Sequence, residues 1–544
     1  MFGPRGLLAA AAAVGALVAA SPAPAIEMSL RPVFLPPLEG SAAVEALSLA
    51  APSRELIVAV DRDRRAAAIL TANRARRLGE GLWLVPAAES HAVVRRLGAI
   101  GALRYAHPND RAVPRWSRTA RGDPLDPDPW WMPRIGADRV TPPGPGFPLT
   151  IVDDGIDTTH PEFAARPIRF LNVSTLIPQE DFHGTMMSSV AAAPLNGVGM
   201  AGLYPQASLR IADTGRGNCA DVLAAVEAAV SAGPSVINMS WGFSPPTCLA
   251  LHEQILRGLA AGSLFVAATG NMRLFFSPPA VPAIWPHVLT IGSINPQGTV
   301  SYFSNEGMGI DLAAPGEFIV AATPTSFEPS GYSELEGTSF SAAFVSAAGA
   351  WIATRRHVHA TQLSELLRES ARDTAPRGWD EDTGFGVLDL PAALKRPLPA
   401  VDPAEPNDDV NQVRAGGLFK DAAPALTHPG RERASLRARL DRTEDPVDVY
   451  RVFVPPGRSV RLRLIPTSNV DVEVFRGSAH SCYYQTRRQA LRSTLIRGSY
   501  GRGRSRDSVA VRSRRVAGEY VYACVYKPRD VVRTAAYSLS LRTR

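Results

Sequence analysis

Short apolar runs alternate with helical patterns between residues 116 and 396. The runs are largely continuous rather than alternating, which is typical of parallel strands covered on both faces: Leu149–Val152, Leu209–Ala212, Val236–Met239, Leu264–Ala268 and Val288–Ile291. The helical patterns between them are Gly184–Ala193, Asp221–Ala232, Cys248–Ala261 and Ser339–Ile352. This order predicts a doubly wound α/β domain with a mostly parallel sheet. Its functional site is expected where loops leave the carboxyl ends of the strands.

A smaller α+β unit is predicted before this domain. Strand-like runs at residues 55–60, 81–86 and 102–106 enclose helical patterns at 64–78 and 89–97. The unit spans about 65 residues and ends before a polar, proline-containing stretch. It is predicted as the core, residues 55–109, of a segment covering residues 26–115.

The sequence pattern changes again after residue 396. A proline-rich stretch at residues 397–410 reads as a linker. Apolar and polar residues then alternate in Val449–Val454, Val460–Leu464, Val470–Val474 and Tyr520–Tyr526, and glycines mark turns. This pattern predicts an all-β sandwich over residues 411–544.

The first 25 residues have the pattern of a secretory signal peptide. Arg5 precedes the apolar run Leu7–Ala20, and Ala23-Pro24-Ala25 offers a small-x-small cleavage site. That run is too short to span a bilayer, and no later stretch is long and apolar enough to do so. The protein is therefore expected to be secreted, to the periplasm or outside the cell, with no membrane span.

The net charge of +7 at pH 7 comes almost wholly from arginine. Clusters such as Arg431–Arg442 could attract anionic surfaces, but no nucleic-acid-binding motif accompanies them. A solvated basic surface is the favoured interpretation. No nucleic-acid partner is predicted, and the protein is expected to be a monomer.

Export permits disulfide bonds, and the chain has four cysteines. Cys219 and Cys248 lie in the α/β domain, whereas Cys482 and Cys524 lie in the sandwich. Four cysteines allow three connectivities. Pairing within each domain is the expectation.

Four polar residues stand at the ends of strands or the starts of helices in the α/β domain. Asp153 ends the first strand, His183 opens a helix, Asn271 follows the strand at 264–268, and Ser339 opens the last long helix. A carboxylate can orient an imidazole, which can take a proton from a serine hydroxyl. An amide NH₂ and a helix N-terminus can stabilise a developing oxyanion. Each residue alone is an ordinary cap or turn residue, but their joint occurrence points to one site.

These residues lie in motifs that resemble the subtilisin family of serine proteases. The matching segments are Ile151–Gly155, His183–Thr185, Val236–Gly242, Ala268–Asn271 and Gly337–Ser339. The chain order Asp, His, Ser is also that of subtilisin. The resemblance covers about residues 126–395.

The resemblance implies a role for each matched residue. Ser339 would be the nucleophile, His183 the general base, Asp153 the orienting carboxylate and Asn271 the oxyanion donor. Two backbone segments would flank an extended substrate, and a residue of the next loop would form the floor of the first pocket: Gly215, Arg216, Gly217, Ser240, Trp241, Gly242 and Ala280. Asp154 could favour a basic residue near the cleaved bond.

The resemblance also suggests how the flanking regions serve the enzyme. Residues 26–115 look like a propeptide that templates folding and then occupies the cleft as an inhibitor, with self-cleavage between about Arg111 and Asp126. The C-terminal region resembles the bacterial pre-peptidase C-terminal sandwich. The Leu195–Gly202 loop resembles the family's calcium loop but lacks extra carboxylates, so no cofactor is predicted and structural calcium is left open.

Three functions remain open at this point. The first is an exported serine endopeptidase acting on proteins or peptides, made as a zymogen. The second is an inactive binding protein with a protease fold, because residues around the motifs, such as Phe182 and Phe344, are unusual for the family. The third is an esterase, although the chain lacks Gly-x-Ser-x-Gly at the site and has a different residue order.

Overall fold

The computed structural model describes most of the chain from residue 55 onward. The described residues are 55–61, 63–108, 113–114, 117–118, 129–172, 182–196, 199–243, 248–273, 279–374, 376–400, 404–441, 444–482, 494–527 and 534–544. The predicted signal peptide, residues 1–25, lies outside the described residues. So do the first residues of the predicted propeptide and much of the predicted self-cleavage region.

Residues 55–108, the amino-terminal unit, form an antiparallel sheet with two helices. In the described part of this unit the elements are β1 (Leu56–Val60), α1 (Arg64–Ala72), β2 (Arg76–Gly79), β3 (Leu82–Val85), α2 (Ser90–Ala99) and β4 (Leu103–Pro108). The strand order is β2-β3-β1-β4. Two short strands, β5 (Val113–Pro114) and β6 (Ser117–Arg118), follow.

One predicted element of this unit is wrong in its length. The helix predicted to run to Leu78 ends at Ala72, and residues 76–79 form a strand instead. Asn73 closes the helix by donating its side-chain N–H to the carbonyl of Ile69 at 2.7 Å. Arg74 then adopts a left-handed conformation with φ of +57°, which turns the chain back toward the sheet.

The central unit, residues 129–396, is built on a parallel sheet. Its described strands are β7 (Leu149–Asp153), β8 (Arg169–Phe170), β9 (Leu209–Asp213), β10 (Val236–Met239), β11 (Trp241–Gly242), β12 (Leu264–Ala268), β13 (Val288–Ile294), β14 (Leu312–Pro315), β15 (Ile319–Ala322) and β16 (Tyr332–Glu336). The described helices are α3 (Trp131–Ile135), α4 (His183–Ala192), α5 (Cys219–Ser231), α6 (Ala250–Ala260), α7 (Thr338–Arg356), α8 (Ala360–Ser370) and α9 (Leu390–Lys395).

Seven of these strands form one sheet in the order β14-β13-β12-β10-β7-β9-β8. Every strand pairing within it is parallel, which confirms the predicted doubly wound fold. On one side of β7 lie β10, β12, β13 and β14 in chain order, and on the other side lie β9 and then β8 at the edge, so β7 and β10 flank the point where the topology reverses. Sites of α/β proteins form beside such a point, at the carboxyl ends of the strands.

Helix α7 packs against this sheet with its first 16 residues fully buried. Most of its residues are small, which allows a close approach between helix and sheet. A Cβ atom added at Gly349 would lie 3.4 Å from Val236 of the sheet. The small-residue pattern around Ser339 thus places the start of α7 firmly in the core.

The amino-terminal unit packs against the central unit. Ile57, Ala59 and Leu82 share one buried apolar cluster with residues of α5 and α6. At its edge, the Arg104 Nη2 atom lies 2.7 Å from Glu253 Oε2, and the two side chains are only 12% and 11% exposed. The unit is therefore docked on the central unit rather than tethered loosely.

The carboxy-terminal sandwich, residues 404–544, contains a short helix and two antiparallel sheets in its described part. The elements are α10 (Val410–Val413), β17 (Arg433–Leu440), β18 (Val447–Val454), β19 (Ser459–Pro466), β20 (Asp471–Arg476), β21 (Leu495–Ser499), β22 (Asp507–Arg512), β23 (Glu519–Tyr526) and β24 (Ala535–Thr543). The sheets run β17-β24-β19-β22 and β18-β23-β20-β21. Alternate residues of these strands form one apolar core, as the sequence pattern predicts.

Both predicted disulfide pairings are present. Cys219 bonds to Cys248 across the starts of α5 and α6. Cys482 bonds to Cys524 within the sandwich. No helix among the described residues is long and apolar enough to cross a membrane.

A buried arginine joins the central unit to the sandwich. Arg368 of α8 has a side chain that is 3% exposed and contacts Asp311 Oδ1 at 3.1 Å, Glu365 Oε1 at 2.6 Å and Asp441 Oδ2 at 3.0 Å. Burial by itself would lower the pKa of its guanidinium, but the surrounding carboxylates hold that pKa well above its ordinary value. Arg368 is thus charged and neutralises carboxylates from both units.

Replacing Arg368 is expected to destabilise the protein strongly. Arg368→Met keeps the aliphatic stem but leaves buried carboxylates without their cation, so the free energy of unfolding should fall by about 3–5 kcal/mol. The measurement is urea denaturation followed by tryptophan fluorescence. Arg439→Met is the matched control, because Arg439 bridges Glu365 from a side chain that is 41% exposed. It should cost only about 0–1 kcal/mol. Equal losses from both variants would contradict this account of the junction.

Candidate active site

The carboxyl end of β7 brings Asp153 and His183 together. Asp153 is the last residue of β7, and His183 is the first residue of α4. The His183 Nδ1 atom lies 2.8 Å from Asp153 Oδ1, and both side chains are buried. Gly184 permits this approach, because a Cβ atom there would lie 2.0 Å from the carbonyl oxygen of Gly155. Steric crowding therefore explains why a glycine follows the histidine in this motif.

Asp154 holds the start of the same helix. Its carboxylate accepts hydrogen bonds from the backbone N–H of His183 at 3.2 Å and of Gly184 at 2.5 Å. Desolvation and the charge of Asp153 raise the pKa of Asp154 to about 8. Both carboxylate oxygens thus serve the N-terminus of α4. They fix the start of the helix that carries His183, and the preference of Asp154 for a basic substrate residue stays a prediction.

The protonation of His183 is set by opposing effects. Burial lowers the pKa of its imidazole, but the charge of Asp153, the hydrogen bond to it and the charge of Asp154 raise that pKa above its ordinary value. Asp153 Oδ1 also accepts the backbone N–H of Asp154 at 3.0 Å, which fixes the carboxylate. This arrangement places the proton of neutral His183 on Nδ1 and directs Nε2 away from Asp153.

Ser339 is held at the start of α7 by reciprocal hydrogen bonds with Ser240. The Ser339 hydroxyl donates to the carbonyl oxygen of Ser240 at 3.0 Å, and the Ser240 hydroxyl donates to the carbonyl oxygen of Ser339 at 2.8 Å. Asn238 supports the pair by donating to the Ser240 hydroxyl at 3.0 Å. These bonds attach the N-terminus of α7 to the segment that follows β10.

Asn271 presents a buried amide donor beside the start of α7. Its Oδ1 atom accepts the backbone N–H of Thr338 at 3.0 Å and the Thr338 hydroxyl at 2.8 Å. The Thr338 hydroxyl in turn accepts the backbone N–H of Gly270 at 3.1 Å. With the oxygen fixed in this way, Nδ2 points elsewhere, and it has no hydrogen-bond partner among the described residues. A buried amide without a partner is costly unless a ligand or intermediate uses it.

An extended segment of the chain itself lies along the predicted substrate strand. Strand β11, Trp241–Gly242, pairs antiparallel with β5, Val113–Pro114. Trp241 is anchored by its indole N–H, which donates to the carbonyl oxygen of Val152 at 2.6 Å. Past the site, β6, Ser117–Arg118, pairs antiparallel with Leu335–Glu336 of β16. The backbone on both sides of Ser339 therefore binds an extended strand.

The other predicted substrate residues lie nearby without such pairing. Gly215 and Gly217 form a turn after β9 with φ of +55° and +65°, and Arg216 lies between them. Among the described residues, these three residues form no β-ladder hydrogen bonds with β5. Ala280 is buried and donates its N–H to Thr269 at 3.2 Å, next to Val281, which pairs with Phe243 just beyond β11. Their roles as subsite residues stay predictions.

Sequence reasoning missed two features of the site. Thr338 orients the amide of Asn271, and Leu335–Glu336 binds an extended strand beyond Ser339. The sequence offered a signal for the role of Thr338, because this residue lies between the motif glycine and Ser339. The sequence offered no signal for strand binding by β16, because its pairing partner is distant in the chain.

Unusual residues around the motifs are accommodated by local contacts. Phe182 stacks on Phe327 with ring centroids 4.6 Å apart, and Phe344 packs against Trp131 at 4.7 Å. The Arg273 guanidinium contacts Asp382 Oδ1 at 2.6 Å. None of these contacts disturbs the four predicted catalytic side chains.

The loop resembling a calcium site, residues 195–202, has no carboxylate of its own. The nearby Glu162 Oε1 atom already accepts the N–H of Met200 at 2.7 Å and the hydroxyl of Tyr332 at 2.9 Å. Calcium prefers several free oxygen ligands.

Comparison with known proteins matches residues 144–386 to the model of the subtilase family. Subtilisin E from Bacillus subtilis (strain 168) is 30% identical over 261 residues, which cover 46% of this chain and 66% of that protein. Fervidolysin from Fervidobacterium pennivorans is 28% identical over 327 residues, covering 53% of this chain and 46% of that protein. The chain thus spans less than two thirds of these relatives' length.

Solved structures agree on the fold. The crystal structure of fervidolysin, a keratinolytic enzyme related to subtilisin, matches 84% of this chain and 68% of that chain with a TM-score of 0.55 and 19% identity. The S393A mutant of the epidermin leader peptide processing serine protease from Staphylococcus aureus matches 63% of this chain and 98% of that chain, with a TM-score of 0.52 and 19% identity. At such identities the likeness concerns the fold alone.

Removing the charge of Asp153 should lower the pKa of His183. In Asp153→Asn the imidazole stays buried, which lowers its pKa, while the main influence that raises it is lost. The measurement is an NMR titration of ¹⁵N-labelled histidine. Asp157→Asn is the control, because its carboxylate binds Thr159 rather than the imidazole. An unchanged His183 pKa in Asp153→Asn would refute the assigned coupling.

Proposed function

Residues 144–386 belong to the subtilase family, and on that premise we propose that the protein is a secreted serine endopeptidase made as a zymogen. Ser339 is the nucleophile, His183 the general base and acid, Asp153 the orienting carboxylate and Asn271 an oxyanion donor. The observation that carries the proposal is the buried Nδ2 atom of Asn271. Thr338 fixes the oxygen of the same amide, and Nδ2 has no hydrogen-bond partner among the described residues. Acyl transfer requires a hydrogen-bond donor of this kind for the oxyanion, which supports the enzyme over an inactive binding protein.

The proposed chemistry is that of a Ser-His-Asp triad. Nε2 of His183 accepts the hydroxyl proton of Ser339 while Oγ bonds to the carbonyl carbon of the substrate. Asp153 stabilises the resulting imidazolium through Nδ1. The oxyanion is stabilised by Nδ2 of Asn271 and the backbone N–H of Ser339 at the N-terminus of α7. His183 then gives the proton to the leaving amine, and an acyl-enzyme forms. Water hydrolyses the ester by the same proton transfers in reverse.

Substrates are proposed to bind as an added strand. Trp241–Gly242 on one side of Ser339 and Leu335–Glu336 on the other already pair with extended backbone of the chain itself. Main-chain pairing provides affinity and demands little of the substrate sequence. This mode suits proteins and peptides and does not suit a small ester.

The amino-terminal unit is proposed as the inhibitory propeptide. It is docked through a shared apolar cluster and the Arg104–Glu253 ion pair, and its C-terminal extension lies along the cleft. A substrate protein cannot occupy the same backbone edges at the same time. Export by the predicted signal peptide would deliver this inactive form, as a monomer, to the periplasm or the exterior.

Loss of any triad residue is expected to abolish activity. Ser339→Ala and His183→Ala should each lower kcat by about 10⁶, and Asp153→Asn by about 10⁴, because the three act as a unit. Casein hydrolysis and labelling of Ser339 by a fluorophosphonate are the measurements. Wild type that is matured but neither labelled nor active would favour an inactive binding protein. Hydrolysis of a short-chain ester without casein hydrolysis would favour an esterase.

Asn271 and Thr338 are expected to affect turnover to different degrees. Asn271→Ala removes the oxyanion donor and should lower kcat by about 10²–10³ with little change in KM. Thr338→Val keeps the shape but removes one bond that orients the amide, so kcat should fall about 3–10-fold. Thr338→Ser, which keeps the hydroxyl, is the matched control and should restore most of the turnover. Equal kcat values in Asn271→Ala and wild type would remove Asn271 from the mechanism.

A further inference from the structure

The outer face of one sheet of the sandwich gathers arginines that lie far apart in the sequence. In the sheet β17-β24-β19-β22, alternate residues pack into the apolar core, so the residues between them point outward. Arginine and serine occupy most of these outward positions, and most of them are exposed. Among the described residues of the four strands, no outward position holds a carboxylate. The face therefore carries positive charge without negative charge mixed into it.

Strand register places three of these arginines side by side. Arg542 of β24 pairs with Arg433 of β17 on one side and with Arg461 of β19 on the other. Neighbouring strands lie about 4.8 Å apart, so the three side chains leave the sheet close together. Like charges directly opposite each other destabilise a sheet. The stability of the sandwich therefore gives no reason for this row of arginines.

Further arginines extend the charge along the strands. Arg463 follows Arg461 by two residues on the same face of β19, a distance of about 7 Å. Arg437 occupies the outward face of β17, and Arg512 of β22 pairs with Ser459 of β19. The result is a two-dimensional patch, which we name the basic face: Arg433, Arg437, Arg461, Arg463, Arg512 and Arg542.

Carboxylates of the protein do not neutralise the basic face. Arg439, on the outward side of β17, is bridged to Glu365 and Glu369 of α8 and so lies outside the basic face. Glu432, just before β17, contacts Arg458. Among the described residues, the six arginines of the basic face form no ion pair with a carboxylate. Their charge is available to an anionic partner.

The outer face of the other sheet is different. Val449, Phe475 and Tyr522 lie there in an apolar cluster that also contains residues of α10 and both cysteines of the Cys482–Cys524 disulfide. The chain itself therefore covers that face. In the part of the chain that the structure describes, the basic face has no such cover, and its arginines are exposed.

The layout of the basic face favours an anionic lipid surface over a nucleic acid. Its charges spread in two dimensions, as the phosphates of lipid headgroups do, rather than along one track. The outward positions hold no aromatic side chain on which a base could stack. Paired strands form the face, and no helix or free ribbon among them could enter a major groove. Guanidinium groups also match phosphate oxygens in bidentate geometry.

We infer that the basic face docks the protein on membranes that contain anionic phospholipids. The guanidinium groups bind lipid phosphates, and the serine hydroxyls between them bind the same headgroups, while the apolar core of the sandwich stays out of the bilayer. Docking holds the active site at a membrane surface rather than in bulk solution. No residue of the active site takes part, so the inference goes beyond the proposed function and does not rest on it.

Vesicle co-sedimentation of the full chain tests the inference. Vesicles made of equal parts of phosphatidylglycerol and phosphatidylcholine are compared with vesicles of phosphatidylcholine alone. Wild type should bind the anionic vesicles and leave the neutral ones in suspension without it. Binding should weaken as salt rises from about 0.01 M to 1 M, because the screening length falls from about 30 Å to about 3 Å.

Serine substitutions remove the row of arginines without altering the character of the face. The variant combines Arg433→Ser, Arg461→Ser and Arg542→Ser, and serine already stands at neighbouring outward positions. Each arginine near an anionic membrane is worth about a fivefold change in binding, so the affinity for anionic vesicles should fall by about 100-fold. Thermal unfolding followed by circular dichroism should show a midpoint no lower than that of wild type, because opposed like charges are removed.

A matched control loses the same charge elsewhere. It combines Arg377→Ser, Arg476→Ser and Arg497→Ser, which are exposed arginines outside the basic face. Its affinity for anionic vesicles should stay within about threefold of wild type. A second variant, Arg437→Ser with Arg463→Ser, should weaken binding by about 25-fold and decides the question if the triple variant is not folded.

The other outcomes overturn the inference. They are no binding of wild type to anionic vesicles at low salt, equal binding to neutral vesicles, and an equal loss in the control variant. Binding to duplex DNA or to a polyuronate with a higher affinity per anionic charge assigns the basic face to that polymer instead. Ser339→Ala should bind vesicles as wild type does, so the result is independent of whether the protein proves to be a protease.

Discussion

The reciprocal hydrogen bonds between Ser240 and Ser339 are the constraint on which the site depends. They attach the first turn of a buried helix to the backbone that leaves β10. Because all four groups are buried, leaving one unmade would cost about 1–3 kcal/mol. The same contact sets where the hydroxyl lies, where Thr338 can hold Asn271, and where β11 begins. Ser339, Asn271 and the strand β11 are thus positioned together rather than separately.

The fold and the candidate site differ in how far local sequence predicts them. Continuous apolar runs predict the parallel sheet because both of its faces are covered, and strand ends then identify Asp153 and Asn271. The helical pattern of residues 64–78 includes residues 76–78, yet the cap at Asn73 and the pairing with β3 make these residues part of a strand. The contact of Arg368 with Asp441 joins residues 73 apart in the chain. No periodicity encodes such a contact, so it emerges only in three dimensions.

The described part of the predicted linker, residues 397–400 and 404–410, packs against the central unit. Within residues 397–410, the carboxylate of Asp408 lies 3.0 Å from His287 Nε2 of the central unit, and the carbonyl of Pro399 accepts the side-chain N–H of Gln362 at 2.8 Å. A free spacer would leave both groups in solvent. Together with Arg368, these contacts make the sandwich an extension of the central unit's surface. The sandwich can stabilise the central unit through these contacts alone, without a separate binding site.

If the amino-terminal unit is the proposed propeptide, alignment of the chain's own extension and alignment of substrates have different physical causes. Pairing through the backbone depends on main-chain geometry and not on side chains, so an extended segment of almost any sequence can bind in this way. In the zymogen the register is imposed from outside the cleft, by a docked unit that ends five residues before β5. A substrate from solution has no such tether, and its alignment must come from pockets that favour one side chain over another. The residues around the self-cleaved bond therefore record where the docked unit places the chain. They need not match the sequence that the mature site would choose.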